Sequence, residues 1–258
     1  MNNPKNIKES VKEKYGQIAK GKIGVIPSIT SCCSSDSCCV GSDSTVIDMS
    51  SRYDKADMTA IPDGADLGLG CGTPTVYAEL KEGMIILDLG SGAGIDCFVA
   101  SKYVGKTGRV IGVDMTEEMI TKANENKKKI NAMNVEFRLG EIENLPVDNN
   151  TIDRVISNCV INLVPDKKIA FSEIYRVLKP SGKFTVSDIV VDGVISENER
   201  KDAALWAGCI SGAISRQEYL DIISITGFRD TIISSEKKYD YKLKSGGGLY
   251  SITVSGTK

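Results

Sequence analysis

Residues 84–94 read MIILDLGSGAG: four consecutive apolar residues lead into Asp88, and a turn with glycine at 90, 92 and 94 follows. An unbroken apolar run is what a parallel strand covered on both faces requires. A glycine turn directly after such a strand stands where an open α/β sheet binds ligands, outside the carboxyl end of the strand. The same grammar continues downstream. A helix is predicted from about Ile95 to Tyr103, and a strand over RVIGVD (109–114). The next helix opens at Thr116 with Met119 and Ile120 facing inward, and VEFRLG (135–140) and DRVISN (153–158) follow as strands. Lys167–Leu178 has helical spacing that Pro180 stops, and KFTVSDIVV (183–191) is a fifth strand. Strands alternating with helices predict a right-handed, doubly wound, mostly parallel sheet.

Both ends depart from that pattern. Ile7, Val11, Tyr15 and Ile18 fall at helical spacing near the N-terminus. Residues 27–45 are rich in serine and cysteine and read as a loop. Thr73 as N-cap with Pro74 behind it predicts a helix start, which leaves Cys71 in the turn just before. After Val191, SENERKDAALWAGC predicts a helix ending near Gly208, and Ser215 with Glu218 predicts a capping box for a helix over 216–226. Two β runs, around 228–239 and 248–255, are separated by SGGG and predict an antiparallel hairpin at a sheet edge. The expected organisation is an N-terminal extension over 1–82 with capping helices, then an α/β domain over 83–258 with lid insertions after the fifth strand.

Charge and cysteine usage narrow the function. Lys+Arg 32 against Asp+Glu 34 in 258 residues gives no basic excess for nucleic acid and no polybasic run for a membrane surface. No stretch approaches the ~18 apolar residues of a membrane span, and MNNPKNIKES lacks an apolar signal core. A cytoplasmic protein is expected. Thiols stay reduced there, so eight cysteines read as ligands, nucleophiles or packing rather than as disulfides. Cys32, Cys33, Cys38 and Cys39 crowd into SCCSSDSCC, whereas Cys71, Cys97, Cys159 and Cys209 stand alone. There is no histidine, the usual general acid or base near neutral pH.

The spacing of the glycine turn discriminates between cofactors. Asp114, twenty residues past Gly94, is placed to bond a ribose hydroxyl. A dinucleotide fingerprint G-x-G-x-x-G would put glycine at 95, where the chain has isoleucine. The form DLGSGAG instead resembles the first motif of class I S-adenosylmethionine methyltransferases. Gly140-Glu141-Ile142 resembles the segment that contacts adenine in that family, and Asn158 stands where it often places a residue beside the methyl donor. KPSGKFTVSD (179–188) resembles its turn into the fifth strand. The resemblance implies a Rossmann-like class I methyltransferase fold with S-adenosylmethionine as cofactor. Its contacts would be Asp88, Gly90, Ser91, Gly92, Gly94, Asp114, Met115, Glu141, Ile142 and Asn158.

The isolated cysteines carry a more specific resemblance. Cys159 closes the fourth strand, Cys71 precedes the Thr73 turn, and Cys209 ends the segment after the fifth strand. Taken singly, each reads equally well as a small buried hydrophobe. The surrounding words GLGCG, SNCVINLVPDK and WAGCISGA resemble the segments that carry the arsenic-binding cysteines of arsenite S-adenosylmethionine methyltransferases, and GSGAGIDCF resembles that family's cofactor loop. The resemblance runs from about Asp66 to Leu220. It implies methyl transfer to thiol-bound trivalent arsenic, a detoxification reaction, with Cys71, Cys159 and Cys209 as arsenic ligands. It also implies a thiol reductant such as thioredoxin or a low-molecular-weight thiol.

An upstream cysteine is proposed to join in thiol exchange in that family; Cys33 and its neighbour Cys32 are both candidates. The doubled pairs read equally as a metalloid-loading loop or as a stretch without a role. Cys97 and Trp206 read as packing. No cysteine follows Cys209, whereas many members of the family have a cysteine-rich C-terminal segment, so the number of methyl groups added is open. Two other readings remain: a class I C-methyltransferase of a quinone- or sterol-like molecule, and a metalloid-sequestering or sensing protein on the same fold.

Overall fold

The computed structural model describes residues 4–22, 53, 57, 59, 61–202, 205–206, 208–243 and 246–258. Among them seven strands form one sheet, β1 (Ile85–Leu89), β2 (Arg109–Asp114), β3 (Val135–Leu139), β4 (Ile152–Asn158), β5 (Leu178–Asp192), β6 (Arg229–Lys242) and β7 (Gly248–Thr257). The order is β3-β2-β1-β4-β5-β7-β6. The first five are parallel. The C-terminal hairpin inserts β7 antiparallel between β5 and β6. The strand order reverses between β1 and β4, and a crevice opens there beyond the carboxyl ends.

Helices are α1 (Pro4–Ala19), α2 (Pro74–Tyr77), α3 (Ile95–Val104), α4 (Glu117–Lys129), α5 (Lys167–Val177), α6 (Glu197–Lys201) and α7 (Arg216–Ile225), with a 3-10 turn at Ile161–Leu163. Alternate residues of β1 explain why the run had to be apolar throughout. Ile86 packs with Cys97, Phe98 and Val104 on the α3 side. Leu87 and Leu89 pack with Phe171, Ile174 and Tyr219 on the α5 and α7 side. Phe171 is the hub of that second layer, meeting Phe184, Tyr219 and Phe228 edge to face at ring distances of 5.6, 5.6 and 6.4 Å. The amphipathic α1 lays Ile18 and Ala19 against Met119 of α4. Among the described residues no helix is long and apolar enough to cross a membrane.

Four local expectations are corrected. Thr73 makes no side-chain cap bond, and the helix behind it has only four residues. The helix after β5 is broken at Asp202, which turns extended (ψ 112°), and Leu205 and Trp206 beyond the break are helical again. The reciprocal capping box belongs to that helix, between Ser196 and Glu199. At α7 the bond is one-sided: the Ser215 side chain accepts from the Glu218 amide. Finally, β5 begins at Leu178 rather than at 183. It absorbs the Pro180–Gly182 turn as an irregularity in its register with β4, with Ser181 at φ 64°. The Ser- and Cys-rich loop expected over 27–45 lies outside the described residues.

Candidate active site

The glycine turn is tied down by backbone before any ligand arrives. The amides of Gly90 and Ser91 both donate to the Val113 carbonyl, at 2.8 and 3.0 Å. The Asp114 carboxylate accepts from the Gly92 amide at 3.0 Å and from the Thr116 amide at 2.9 Å. Gly90 sits at φ 64°, and a Cβ there would come within 2.2 Å of Val160. Gly92, at φ 52°, has nothing within 4 Å of where a side chain would stand. Its bare backbone therefore faces the crevice, a cleft at the carboxyl ends of β1, β2 and β4, where an open α/β sheet binds ligands.

Of the ten residues expected to contact the cofactor, Gly90, Ser91, Gly92, Asp114, Met115, Ile142 and Asn158 line this cleft. Asp88 does not. It lies beneath the turn, buried, and accepts a bond from the Cys97 thiol at 3.2 Å. Burial raises that carboxyl to about 7, and pushes the Cys97 thiol well up. Gly94 is also off the cleft: it begins α3 at φ 97°, where a Cβ would strike Phe137 and Phe98. Glu141 points outward and pairs with Lys8 at 2.8 Å, while its neighbour Glu143 takes the cleft position.

Two buried polar atoms on the cleft wall have no partner, Ser91 Oγ and Asp96 Oδ1. An orphaned carboxylate oxygen and hydroxyl beside an open glycine backbone fit a ligand carrying a cationic amine and several hydroxyls, as S-adenosylmethionine does. Asp96 was not legible as a site residue. Burial raises it to about 7, so between pH 4 and 7 the folded chain keeps a proton that the unfolded chain releases. Its contribution to stability is complete at pH 4 and declines as pH rises to about 7. Asp96→Asn should therefore match the wild type in melting temperature near pH 4 and exceed it at pH 8. Thermal melts of the ligand-free protein at the two pH values check this.

Behind the cleft, three segments bring cysteines together. The Cys71 turn is held by one side chain: Asn158 Oδ1 accepts from the amides of Cys71 (3.0 Å) and Gly72 (3.1 Å), and its Nδ2 donates to the Gly72 carbonyl (2.8 Å). Ser251 Oγ donates to the Cys71 carbonyl at 2.6 Å from the other side. Asn158→Ala would strand three backbone groups at a cost of about 2–4 kcal/mol. We expect a lower urea midpoint and faster alkylation of Cys71.

Cys159 and Cys209 share an unusual backbone. Both occupy the left-handed region, at φ 60° and 61°, at about 1–2 kcal/mol each for a non-glycine residue. Strain of that kind persists where the surroundings over-determine it. Here the Cys159 amide donates to the Ser187 carbonyl at 2.8 Å. The Cys209 thiol donates to the Cys159 carbonyl at 2.7 Å. Asn162, which sequence reasoning passed over, donates through Nδ2 to the carbonyls of Ile189 (2.6 Å) and Cys209 (3.3 Å). Gly212 is pressed so close to Asn162 that a Cβ would fall 1.9 Å from its carbonyl oxygen.

All three thiols are buried. Cys159 is the link between them: its sulfur lies within 4.8 Å of that of Cys71, and its carbonyl accepts the Cys209 thiol. It also lines the cleft. Burial pushes the Cys71 thiol up and the Cys159 thiol well up, so both are neutral near pH 7. Over them lies α1, whose Val11 and Tyr15 line the cleft and whose Tyr15 hydroxyl meets Cys209. Salt bridges of 2.8 Å from Lys8 to Glu141 and Glu143, and from Lys20 to Glu118, pin this roof. Cys97 packs on the far side of the glycine turn. The half-buried Trp206 donates to the Arg200 carbonyl at 2.6 Å. Cys32, Cys33, Cys38 and Cys39 lie outside the described residues.

Comparison with known proteins points the same way. Residues 80–247 match a family model described as a methyltransferase domain. An arsenite methyltransferase from Halobacterium salinarum is 41% identical over 99% of this chain and 67% of its own length. The human arsenite methyltransferase is 41% identical over 62% of this chain and 44% of its own length, so the chain spans less than half of that relative. Among solved structures, an arsenic(III) S-adenosylmethionine methyltransferase from Chlamydomonas reinhardtii superposes with a TM-score of 0.67 at 33% identity, covering 80% of this chain and 71% of the other.

Proposed function

Because the chain belongs to the arsenite methyltransferase family of S-adenosylmethionine-dependent enzymes, we propose that it methylates trivalent arsenic held by Cys71, Cys159 and Cys209. The observation that carries this reading is Cys159, whose sulfur lies within 4.8 Å of that of Cys71, whose carbonyl accepts from the Cys209 thiol, and which also lines the cofactor cleft. Arsenic(III) is soft and thiophilic, so sulfur ligands suit it better than carboxylates. Three sulfurs hold it as a pyramid and leave its lone pair on the open side. A lone pair carries no proton to be removed, so attack on carbon needs no general base, in keeping with a chain that has no histidine.

S-adenosylmethionine, when bound, supplies an electrophilic methyl group on a sulfonium. The chain's own task is to bind and to orient. Gly90, Gly92 and Asp114 present the nucleoside seat, Ser91 and Asp96 offer unpaired polar atoms, and Asn158 couples the seat to the Cys71 turn. Val11 and Tyr15 of α1 add an apolar wall to the cleft. Holding two reactants in near-attack contact is worth up to ~7–11 kcal/mol over a bimolecular encounter. Exchanging the three hydroxyls of arsenous acid for three thiol sulfurs returns each thiol proton as water, so pH governs the loading rate through the thiolate fraction. A reducing compartment, the cytoplasm, and a thiol reductant keep the cysteines available. Cys33 is retained as a candidate for upstream thiol exchange.

Reduced protein incubated with methyl-labelled cofactor, arsenite and a thiol reductant should yield labelled methylarsenicals. Arsenite binding without transfer would favour sequestration, and neither binding nor transfer would return the chain to methylation of carbon.

A further inference from the structure

The three thiols have a neighbour that arsenic does not need. Asp188, on β5, is fully buried, and a carboxylate oxygen of it lies within 4.8 Å of the sulfurs of both Cys71 and Cys159, which are within 4.8 Å of each other. Its Oδ2 accepts from the Asn162 amide at 3.1 Å and from the Tyr219 hydroxyl at 3.2 Å, and its Oδ1 from the Ile189 amide at 3.0 Å. Those bonds fix the carboxylate and leave acceptor capacity on it. Arsenic(III) bound by three thiolates is neutral and gains nothing from a fourth, anionic ligand.

A divalent cation has the opposite requirement. Two sulfurs and one oxygen around tetrahedral zinc, at about 2.3 and 2.0 Å, stand roughly 3.5–3.8 Å apart. A contraction of at most about 1.3 Å thus converts the observed cluster into ligating distances. The charges also close. Two thiolates and a carboxylate exceed a divalent ion by one negative charge, and the buried ammonium of Lys167 acts electrostatically on Asp188 from the start of α5. The sum is zero, which a fully buried site demands. A third thiolate would upset that balance, so the fourth ligand is neutral, a water.

We infer that Cys71, Cys159 and Asp188 form a second binding mode of this pocket, for a thiophilic divalent cation of the zinc and cadmium class, whose occupancy excludes arsenic and stops methyl transfer. Binding releases the two thiol protons, and the carboxyl proton where present, to solvent; no electron moves. The cation site stands on geometry alone, whereas the inhibition rests on the arsenic reading above.

Cadmium is the probe, because its thiolate charge-transfer absorption counts bound sulfurs. The full chain carries Cys32→Ser, Cys33→Ser, Cys38→Ser and Cys39→Ser to silence the N-terminal thiols. One ion bound by two thiolates is expected, with arsenite and Cd²⁺ displacing each other. Adding Cys209→Ala should keep Cd²⁺ affinity within about threefold and lose tight arsenite binding. Adding Asp188→Asn should weaken Cd²⁺ at least about tenfold and leave arsenite bound. Should that variant fail to fold, Cys71→Ala serves instead and should halve the absorption per ion. Absence of Cd²⁺ binding, or Cd²⁺ binding lost with Cys209 and indifferent to Asp188, overturns the proposal. Asp188-dependent Cd²⁺ binding in a protein that ignores arsenite would keep the cation site and sink the arsenic reading.

Discussion

Cys159→Ser should lower methyl transfer to arsenic by roughly 10³-fold while leaving cofactor affinity within about twofold. A serine hydroxyl replaces the sulfur with little change in size, so the turn at φ 60° and its amide bond to Ser187 are retained. What is lost is the sulfur that lies within 4.8 Å of Cys71, on the residue whose carbonyl accepts the Cys209 thiol. With two sulfurs, arsenic keeps a hydroxyl and swings on its remaining bonds. If half of the positioning advantage of ~7–11 kcal/mol goes with it, about 4 kcal/mol is lost, or close to a thousandfold. Single-turnover transfer and equilibrium binding of a cofactor analogue separate the two quantities. Retained turnover would remove Cys159 from the site.

The second large effect falls on the other side of the cleft. Asp114→Ala should weaken cofactor binding about 100-fold, with the thiols still able to take arsenite. Asp114 accepts from the Gly92 and Thr116 amides and lines the cleft; in the proposed seating the same carboxylate meets the ribose diol of the cofactor. Bonds to a charged acceptor are each worth about 1.5–3 kcal/mol, and losing one to the ligand and slackening one in the loop gives about 3 kcal/mol. Asp114→Asn keeps an acceptor oxygen and should cost nearer tenfold. Equilibrium dialysis of labelled cofactor measures both.

The parts of the fold that were legible are those where one physical demand dictates residue type. A parallel strand buried on both faces must be largely apolar, and β1 was read from that demand nearly to the residue. A backbone that must approach a ligand needs glycine, and Gly90 and Gly92 stand where the motif placed them. Legibility failed where one residue type serves two demands. Gly94 is a glycine because of Phe98 and Phe137, not because of a ligand. Asp88 and Asp114 both end strands, yet only Asp114 faces the cleft, since the first is turned toward Cys97.

Other features could not have been read at all. The stripe Val11, Tyr15, Ile18 marks an amphipathic helix in an extension expected to cap the domain, but amphipathicity does not say which surface is capped; Val11 and Tyr15 line the cleft and Ile18 packs on Met119. The left-handed backbone at Cys159 and Cys209 carries no residue signature, because cysteine is not a turn former. Asp188 was read only as one residue of a strand. Its place among thiols is set by the β5–β7 pairing and by the Asn162 turn, both products of long-range contact.

Arsenic K-edge X-ray absorption on the reduced protein loaded with one equivalent of arsenite tests the central claim most directly. The account predicts three sulfur neighbours in the wild type and two sulfurs with one oxygen after Cys159→Ser. Fewer than three sulfurs in the wild type, or three that survive the loss of Cys159, would contradict it.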